Sequence, residues 1–144
     1  MIKIEKLQFV DSETVSGIQE LFPQLTKYSP IPDENAIQEI VNSNASSIWL
    51  AKDAAGTILG MLNLAIYRTT TGIHAWIEDV VVDQHARRQG IAALLTEAAI
   101  QFAAENGAKA VSLTSRPERE AANLLYQKLG FEQVDTNLYR LRLD

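Results

Sequence analysis

Between Ser46 and Val82 the chain carries three apolar runs separated only by "DAAG" and "TTTG". The runs "SSIWLAK", "TILGMLNLAIYR" and "IHAWIEDVVV" are rich in Ile, Leu, Val, Trp and Tyr, which suit a pleated, half-buried surface. Gaps this short leave no room for the crossover that joins parallel strands. The stretch therefore reads as three consecutive strands folded back on one another, an antiparallel meander. Everything else in the chain has to pack against that ribbon.

The flanking segments suggest how. "IKIEKLQ" alternates apolar and polar residues and reads as a first strand. "DSETVSGIQELFPQLTKY" places Val15, Ile18, Leu21, Phe22 and Leu25 at helical spacing, with Asp11 or Ser12 as the cap. Pro23 should kink or shorten that helix, and "SPIPDEN" breaks the chain before a second short helix from about Asp33. After "RRQG" comes a helix with Ile91, Leu94, Leu95, Ala98 and Phe102 on one face and Glu97, Gln101 and Glu105 on the other, stopped by Asn106 and Gly107. "AKAVSLTS" is a further strand, "PEREAANLLYQKLG" a helix ending at Gly130, and "FEQVDTNLYRLRL" two short strands about a turn near Thr136 and Asn137. The order β, α, α, β, β, β, α, β, α, β, β predicts an α/β (α+β) fold, a mixed central sheet with helices on both faces. No repeat or linker interrupts it, so residues 1–144 read as a single domain.

Composition removes several kinds of chemistry. With no cysteine there is no thiolate nucleophile, disulfide or thiolate-bound metal. The two histidines, His74 and His85, do not form a ligand spacing with nearby carboxylates, so no metal is expected. A net charge of −5 argues against a nucleic-acid partner. No apolar run is long enough for a bilayer, and "MIKIEKLQFV" lacks the apolar core of a signal peptide. No membrane partner and a cytoplasmic protein are the expectations.

Within this acidic chain "VVVDQHARRQGIAALL" sets Arg87 and Arg88 beside Gly90, where a helix begins. First-turn amides have no intrahelical partners, and the helix dipole adds positive charge there. A phosphate satisfies both, Gly90 allows close approach to its amide, and two arginines add charge-assisted contacts. A polar surface turn accounts for the same residues equally well. A P-loop is excluded, because no Gly-Lys-Ser/Thr follows, and the dinucleotide-binding glycine pattern is excluded by two missing glycines. Downstream, "SLTSRPEREAANLLYQKLGF" puts Asn123 and Tyr126 three residues apart on one helix face. Taken singly, they read as a surface or capping asparagine and a buried tyrosine.

Together the two stretches resemble the GNAT superfamily of N-acetyltransferases over about the last seventy residues. "RRQGIA", Arg87 to Ala92, is similar to its Arg/Gln-x-x-Gly-x-Gly/Ala acetyl-CoA motif, with Ala92 where many members carry glycine. "IEDVVVD" resembles the strand before that motif, and "NLLYQKLGF" its second cofactor motif. The resemblance implies the GNAT acyl-CoA N-acyltransferase fold, acetyl-CoA as co-substrate, and a small-molecule or peptide amine as acceptor. It implies a pyrophosphate cradle from the amides of Arg88, Gln89, Gly90, Ile91 and Ala92, with Arg87 alongside. It also implies backbone pairing of Val80, Val81 and Val82 with the pantetheine arm, a polar contact from Asn123, and Tyr126 beside the thioester sulfur. The three valines also fit the core, a reading compatible with an edge role for their backbone. Many members pair, so a homodimer is a further expectation.

An amine must arrive neutral and a departing thiolate needs a proton. Tyr126, with a reference pKa of about 10, is the candidate acid. Glu78 resembles the family's strand-borne base, acting directly or through water, and burial would raise its pKa for that task; holding the substrate ammonium is the equal alternative. Asp79 is second choice and His74 third. Simple alternation points His74, Trp76, Glu78, Val80 and Val82 one way and Ala75, Ile77, Asp79 and Val81 the other. Arg116 and Arg119 fit a solvated face or pairing with Glu118 or Glu120 better than a cofactor contact. Val10 to Asn44 should shape the acceptor site. The competing reading is a non-catalytic acyl-CoA-binding sensor or interaction module.

Overall fold

The three apolar runs become β2 (Ser46–Lys52), β3 (Ile58–Thr69) and β4 (Gly72–Val82) in the computed structural model, which describes residues 1–144. The first turn is closed by Asp53, whose Oδ1 accepts from the amides of Ala55 and Thr57 at 2.9 Å, and by Gly56 at φ 87°. In the second, Thr69 pairs with Gly72, which alone can hold φ 134°. β1 (Lys3–Lys6) adds antiparallel to β2, and β5 (Val111–Ser112) adds parallel to β4. The sheet is therefore mixed, in the order β1-β2-β3-β4-β5.

Two units are compact, Met1–Thr114 and Ser115–Asp144. In the first, α1 (Ser12–Leu25) and α2 (Glu34–Asn42) begin at Asp11 and Asp33, whose carboxylates accept from Thr14 and Ala36 amides at 2.8 Å. Pro23 lies in the last turn of α1, and the helix ends two residues later. Val15, Ile18, Leu21 and Ile37 pack on Ile48, Leu50, Met61 and Val81, which defines one face of the sheet. Trp49 alternates with Ile48 and Leu50 onto the opposite face, where its ring meets Phe102 of α3 (Ile91–Glu105) edge-on at 5.2 Å. Helices thus lie on both faces, as the alternation of elements predicts.

The buried stripe of α3 differs from the expected one. Ile91, Leu95, Ala99 and Ala103 are buried at a spacing of four, while Leu94 is 39% exposed. Small alanines let this helix sit close to the sheet, and the Thr96 hydroxyl is buried because it donates to the Ala92 carbonyl at 2.7 Å. The stop is as expected, with Asn106 capping and Gly107 at φ 85°.

The second unit holds α4 (Glu120–Lys128), which starts three residues after Pro117, where the helix was expected to begin. The two final strands do not form. Residues 131–144 carry no regular element, and Val134, Leu138, Leu141 and Leu143 are exposed. Alternation marks which side chains share a face, but a strand also needs a ladder partner, and none pairs with these residues.

At Gly60, Ile91 and Leu95 of α3 pack closely on the sheet. A Cβ there would lie 3.1 Å from the Val81 carbonyl oxygen and 3.1 Å from Ile91 Cγ2. Gly60→Ala is expected to destabilise the protein by about 1–3 kcal/mol through overpacking, read as a lowered urea midpoint with unchanged slope.

Candidate active site

The turn after β4 is built by local hydrogen bonds. Asp83 Oδ1 accepts from the His85 amide at 2.8 Å, and the Ala86 amide donates to the Asp83 carbonyl at 2.9 Å, closing a 3-10 turn at Gln84–Ala86. Ala86 is buried, whereas Arg87, Arg88, Gln89 and Gly90 are exposed. Arg88 at φ 67° and Gly90 at φ 74° both take left-handed backbone, which bends the chain into α3. Gly90 is the N-cap of α3 and offers no capping side chain. The first-turn amides are left to an external acceptor at the positive end of a fifteen-residue helix. The space that a Cβ on Gly90 would enter is open, and neither arginine is held in an ion pair. The turn has the donors, charge and access that a phosphate requires.

β4 leads into that turn with one edge uncovered. β5 pairs with it only at Ala75–Val111 and Trp76–Ser112. From Ile77 onward the β4 edge away from β3 has no ladder, so the backbone of Val80, Val81 and Val82 lies on an open stretch. Val81 is buried and the other two are half-buried. Core side chains and a free backbone edge coexist there.

The same stretch departs from simple alternation. Asn63 pairs with Glu78 and Met61 with Val81, so Asp79 and Val80 together oppose Leu62. This extra residue is a β-bulge, and Asp79 sits in it at φ 53°, a region that aspartate tolerates better than most residues. Glu78 and Val81 consequently share the face of α1 and α2. Alternation had placed Glu78 with Val80 and Val82. Glu78 is exposed rather than buried and has no ion-pair partner.

Asp79 does have a partner. Asn63 Nδ2 donates to its Oδ2 at 2.9 Å, and because a carboxylate only accepts, this bond settles the orientation of the amide. Asn63 Oδ1 is then enclosed without a donor from the protein. Leaving such an acceptor unpaired costs about 1–3 kcal/mol. Sequence reasoning missed Asn63. Its signal was a lone polar side chain in the run "MLNLAI".

His74 is occupied elsewhere. Its Nε2 lies 2.9 Å from both the Thr69 and Thr71 hydroxyls, and the Tyr67 ring stacks on it at 5.5 Å. Four residues of strand, roughly 13 Å, separate it from Glu78.

In the second unit, Asn123 Nδ2 donates to the carbonyls of Arg116 and Arg119, both at 2.9 Å, fastening the start of α4 where Arg119 gives no side-chain cap. Its Oδ1 is left as a free acceptor. Tyr126 is 7% exposed, one turn along the same helix, with Phe131 edge-on to its ring at 5.7 Å. Burial pushes the phenol pKa up, opposed by the positive charge of Arg119. Arg116 and Arg119 are exposed and pair with neither Glu118 nor Glu120.

Comparison with known proteins gives a consistent result. A curated relative, the uncharacterized N-acetyltransferase YhfO of Bacillus subtilis, is 27% identical over 126 residues, covering 82% of this chain and 83% of that protein. A solved aminoglycoside acetyltransferase from an uncultured soil metagenomic sample, in complex with sisomicin, is 27% identical with a TM-score of 0.80, covering 98% of this chain and 97% of that one. The glucosamine-6-phosphate N-acetyltransferase of Arabidopsis thaliana, at 23% identity and a TM-score of 0.81 over 98% of both chains, shares the fold. The acetyltransferase (GNAT) family itself matches residues 15–131. With its mixed sheet, its uncapped glycine turn and that match, the chain belongs to the GNAT family of acetyl-CoA-dependent N-acetyltransferases.

Proposed function

We propose that residues 1–144 act as one N-acetyltransferase domain that carries an acetyl group to the primary amine of a small molecule or peptide, by direct transfer in a ternary complex. The observation that carries this reading is the α3 N-terminus, with no capping side chain, open space over Gly90 and two unpaired arginines beside it. These features fit a diphosphate, and the uncovered β4 edge fits an amide-bearing arm. When bound, acetyl-CoA supplies the acetyl group as an activated thioester.

The chain's own groups divide the work. Amides from Arg88 through Gln89, Gly90 and Ile91 to Ala92 hold the pyrophosphate, with Arg87 and Arg88 clamping its rim. The backbone of Val80, Val81 and Val82 pairs with the pantetheine arm, and Asn123 Oδ1 accepts from it. Net acetylation of an ammonium takes two protons from nitrogen and gives one to sulfur. Glu78, exposed on β4, takes the first proton from the ammonium through water, and the second passes to solvent, from which Tyr126 is reprotonated, as the amide forms and the C–S bond breaks. Tyr126 gives one to the sulfur, and its raised pKa keeps the phenol protonated at neutral pH. A chain without cysteine has no thiol on which to carry the acetyl group, which favours direct transfer.

Two exposed carboxylates on β4, Glu78 and Asp79, support a cationic acceptor. The likeness to an aminoglycoside acetyltransferase solved with sisomicin supports an amino-sugar type with several amines. The exposed apolar residues Val134, Leu138, Leu141 and Leu143 support a homodimer that covers them. The cytoplasm, where acetyl-CoA is made available, is the proposed location; no helix is long and apolar enough to cross a membrane.

Free-thiol release from acetyl-CoA, with sisomicin, glucosamine 6-phosphate, spermidine and a peptide N-terminus as acceptors, is expected to show turnover with at least one. Tight acetyl-CoA binding without turnover on any amine would instead establish the sensor reading. Gly90→Trp is expected to weaken acetyl-CoA binding by about tenfold or more, ~1.4 kcal/mol, in a calorimetric titration. Normal affinity there would remove the turn from the site. Tyr126→Phe should lower kcat by about 10²–10⁴-fold with acetyl-CoA affinity retained. Alkaline titration at 295 nm should show Tyr126 ionising above the ordinary tyrosine range, because burial raises its pKa, and the substitution should delete that step.

A further inference from the structure

We propose that Asn63 is a positioning residue of the amine site: by holding the Asp79 carboxylate it makes Asp79, rather than Glu78, the group that receives the acceptor's ammonium. The inference rests on the acetyltransferase reading and names the side chains that set the amine's place within it.

In register, Asn63 stands opposite Glu78, its direct cross-strand neighbour. Its amide nevertheless reaches past Glu78 to Asp79 at 2.9 Å. That reach is made possible by the bulge, where Asp79 takes φ 53° and its side chain turns toward the face that Asn63 occupies. Backbone strain of this kind persists only where surrounding contacts hold it, and the Asn63 bond is such a contact. The two carboxylates therefore differ in kind. Glu78 is an exposed acid with no ion-pair partner, suited to passing a proton to water. Asp79 is anchored through one oxygen, which leaves the other in a set direction.

The acceptors gathered here also match a particular ligand. Asp79 is exposed and keeps lone pairs beyond the one that Asn63 uses. No lysine or arginine neutralises it, because the ion pairs of this chain are those of Glu5 with Lys3 and Lys52. A substrate ammonium brings N–H donors and one positive charge, which meet an exposed carboxylate already held in place by Asn63. A neutral hydroxyl would bring that carboxylate no charge. The geometry thus favours cationic acceptors, and Asn63 acts on the amine through Asp79.

A double-mutant cycle tests this, using thiol release with sisomicin as the variable substrate and acetyl-CoA affinity as a separate readout. Asn63→Leu is expected to lower kcat/KM for sisomicin about tenfold, mainly by raising KM, with acetyl-CoA affinity unchanged. Asp79→Asn is expected to lower it at least as much. Adding Asn63→Leu to Asp79→Asn should then cost less than twofold more, because the group through which Asn63 acts is already gone. The exchanged pair, Asn63→Asp with Asp79→Asn, keeps the hydrogen bond and the volume while moving the charge; it should remain folded, bind acetyl-CoA and stay impaired. Multiplying losses in the double variant, full activity in the exchanged pair, or an unaffected Asp79→Asn beside a crippled Glu78→Gln would each overturn the role given to Asn63 while leaving the acetyltransferase reading intact. A wild-type protein that turns over none of the amines would overturn both.

Discussion

The surroundings of the candidate site depend on one departure in β4: the strand carries one residue more than β3 has positions for. Asp79 and Val80 share a single partner, Leu62. Above the bulge, β4 is an ordinary member of the sheet, paired on both sides at Ala75 and Trp76. At and below it, the strand keeps β3 on one side and pairs with no strand on the other. A polar pair can then face outward from a sheet whose neighbouring positions, Leu64, Ile77 and Val81, are all core. The open edge on one side of β4 and the bulge on the other meet at this stretch of the strand.

The glycine turn depends on the same strand for its placement. Val81 anchors the end of β4 in the core, Ala86 buries just beyond it, and Ile91 and Leu95 pack on Gly60 of β3. Between these fixed points the exposed residues Arg87 to Gly90 have few ways to run. Two left-handed residues, Arg88 and Gly90, complete the bend. The amides that open α3 therefore belong to a rigid frame, which is the condition for binding an anion without reordering the chain.

The elements whose evidence is local were legible in the sequence. Capping aspartates, a glycine stop and the apolar meander each carry their reason within a few residues. The turn at Arg87–Ala92 was legible for the same cause, since a glycine at a strand-to-helix junction is read from neighbours alone. What depended on partners was not. The alternation of "IHAWIEDVVV" contains nothing to mark an extra residue, because a bulge exists only relative to β3. Asn63 was hidden for that reason, and the exposure of Glu78, whose burial would have raised its pKa, was equally hidden. The row of apolar residues after Phe131 shows the converse, a strand-like pattern without the ladder that would make it a strand. In α3 the stripe was drawn through Leu94, whereas Ala99 and Ala103 carry the contact, since closeness to the sheet favours small side chains over apolar ones.

The bulge also sets this chain against its own regularity. Removing one residue between Glu78 and Val81 would give β4 an unbroken ladder, relieve the left-handed backbone at Asp79 and bring the alternation back into step. By every measure of sheet quality that shortened chain would be the better-made molecule. It would also draw Asp79 out of reach of Asn63 and straighten the path into the glycine turn. The extra residue thus breaks a local rule of sheet geometry with no gain to the sheet itself, and what it brings is the reach between Asn63 and Asp79.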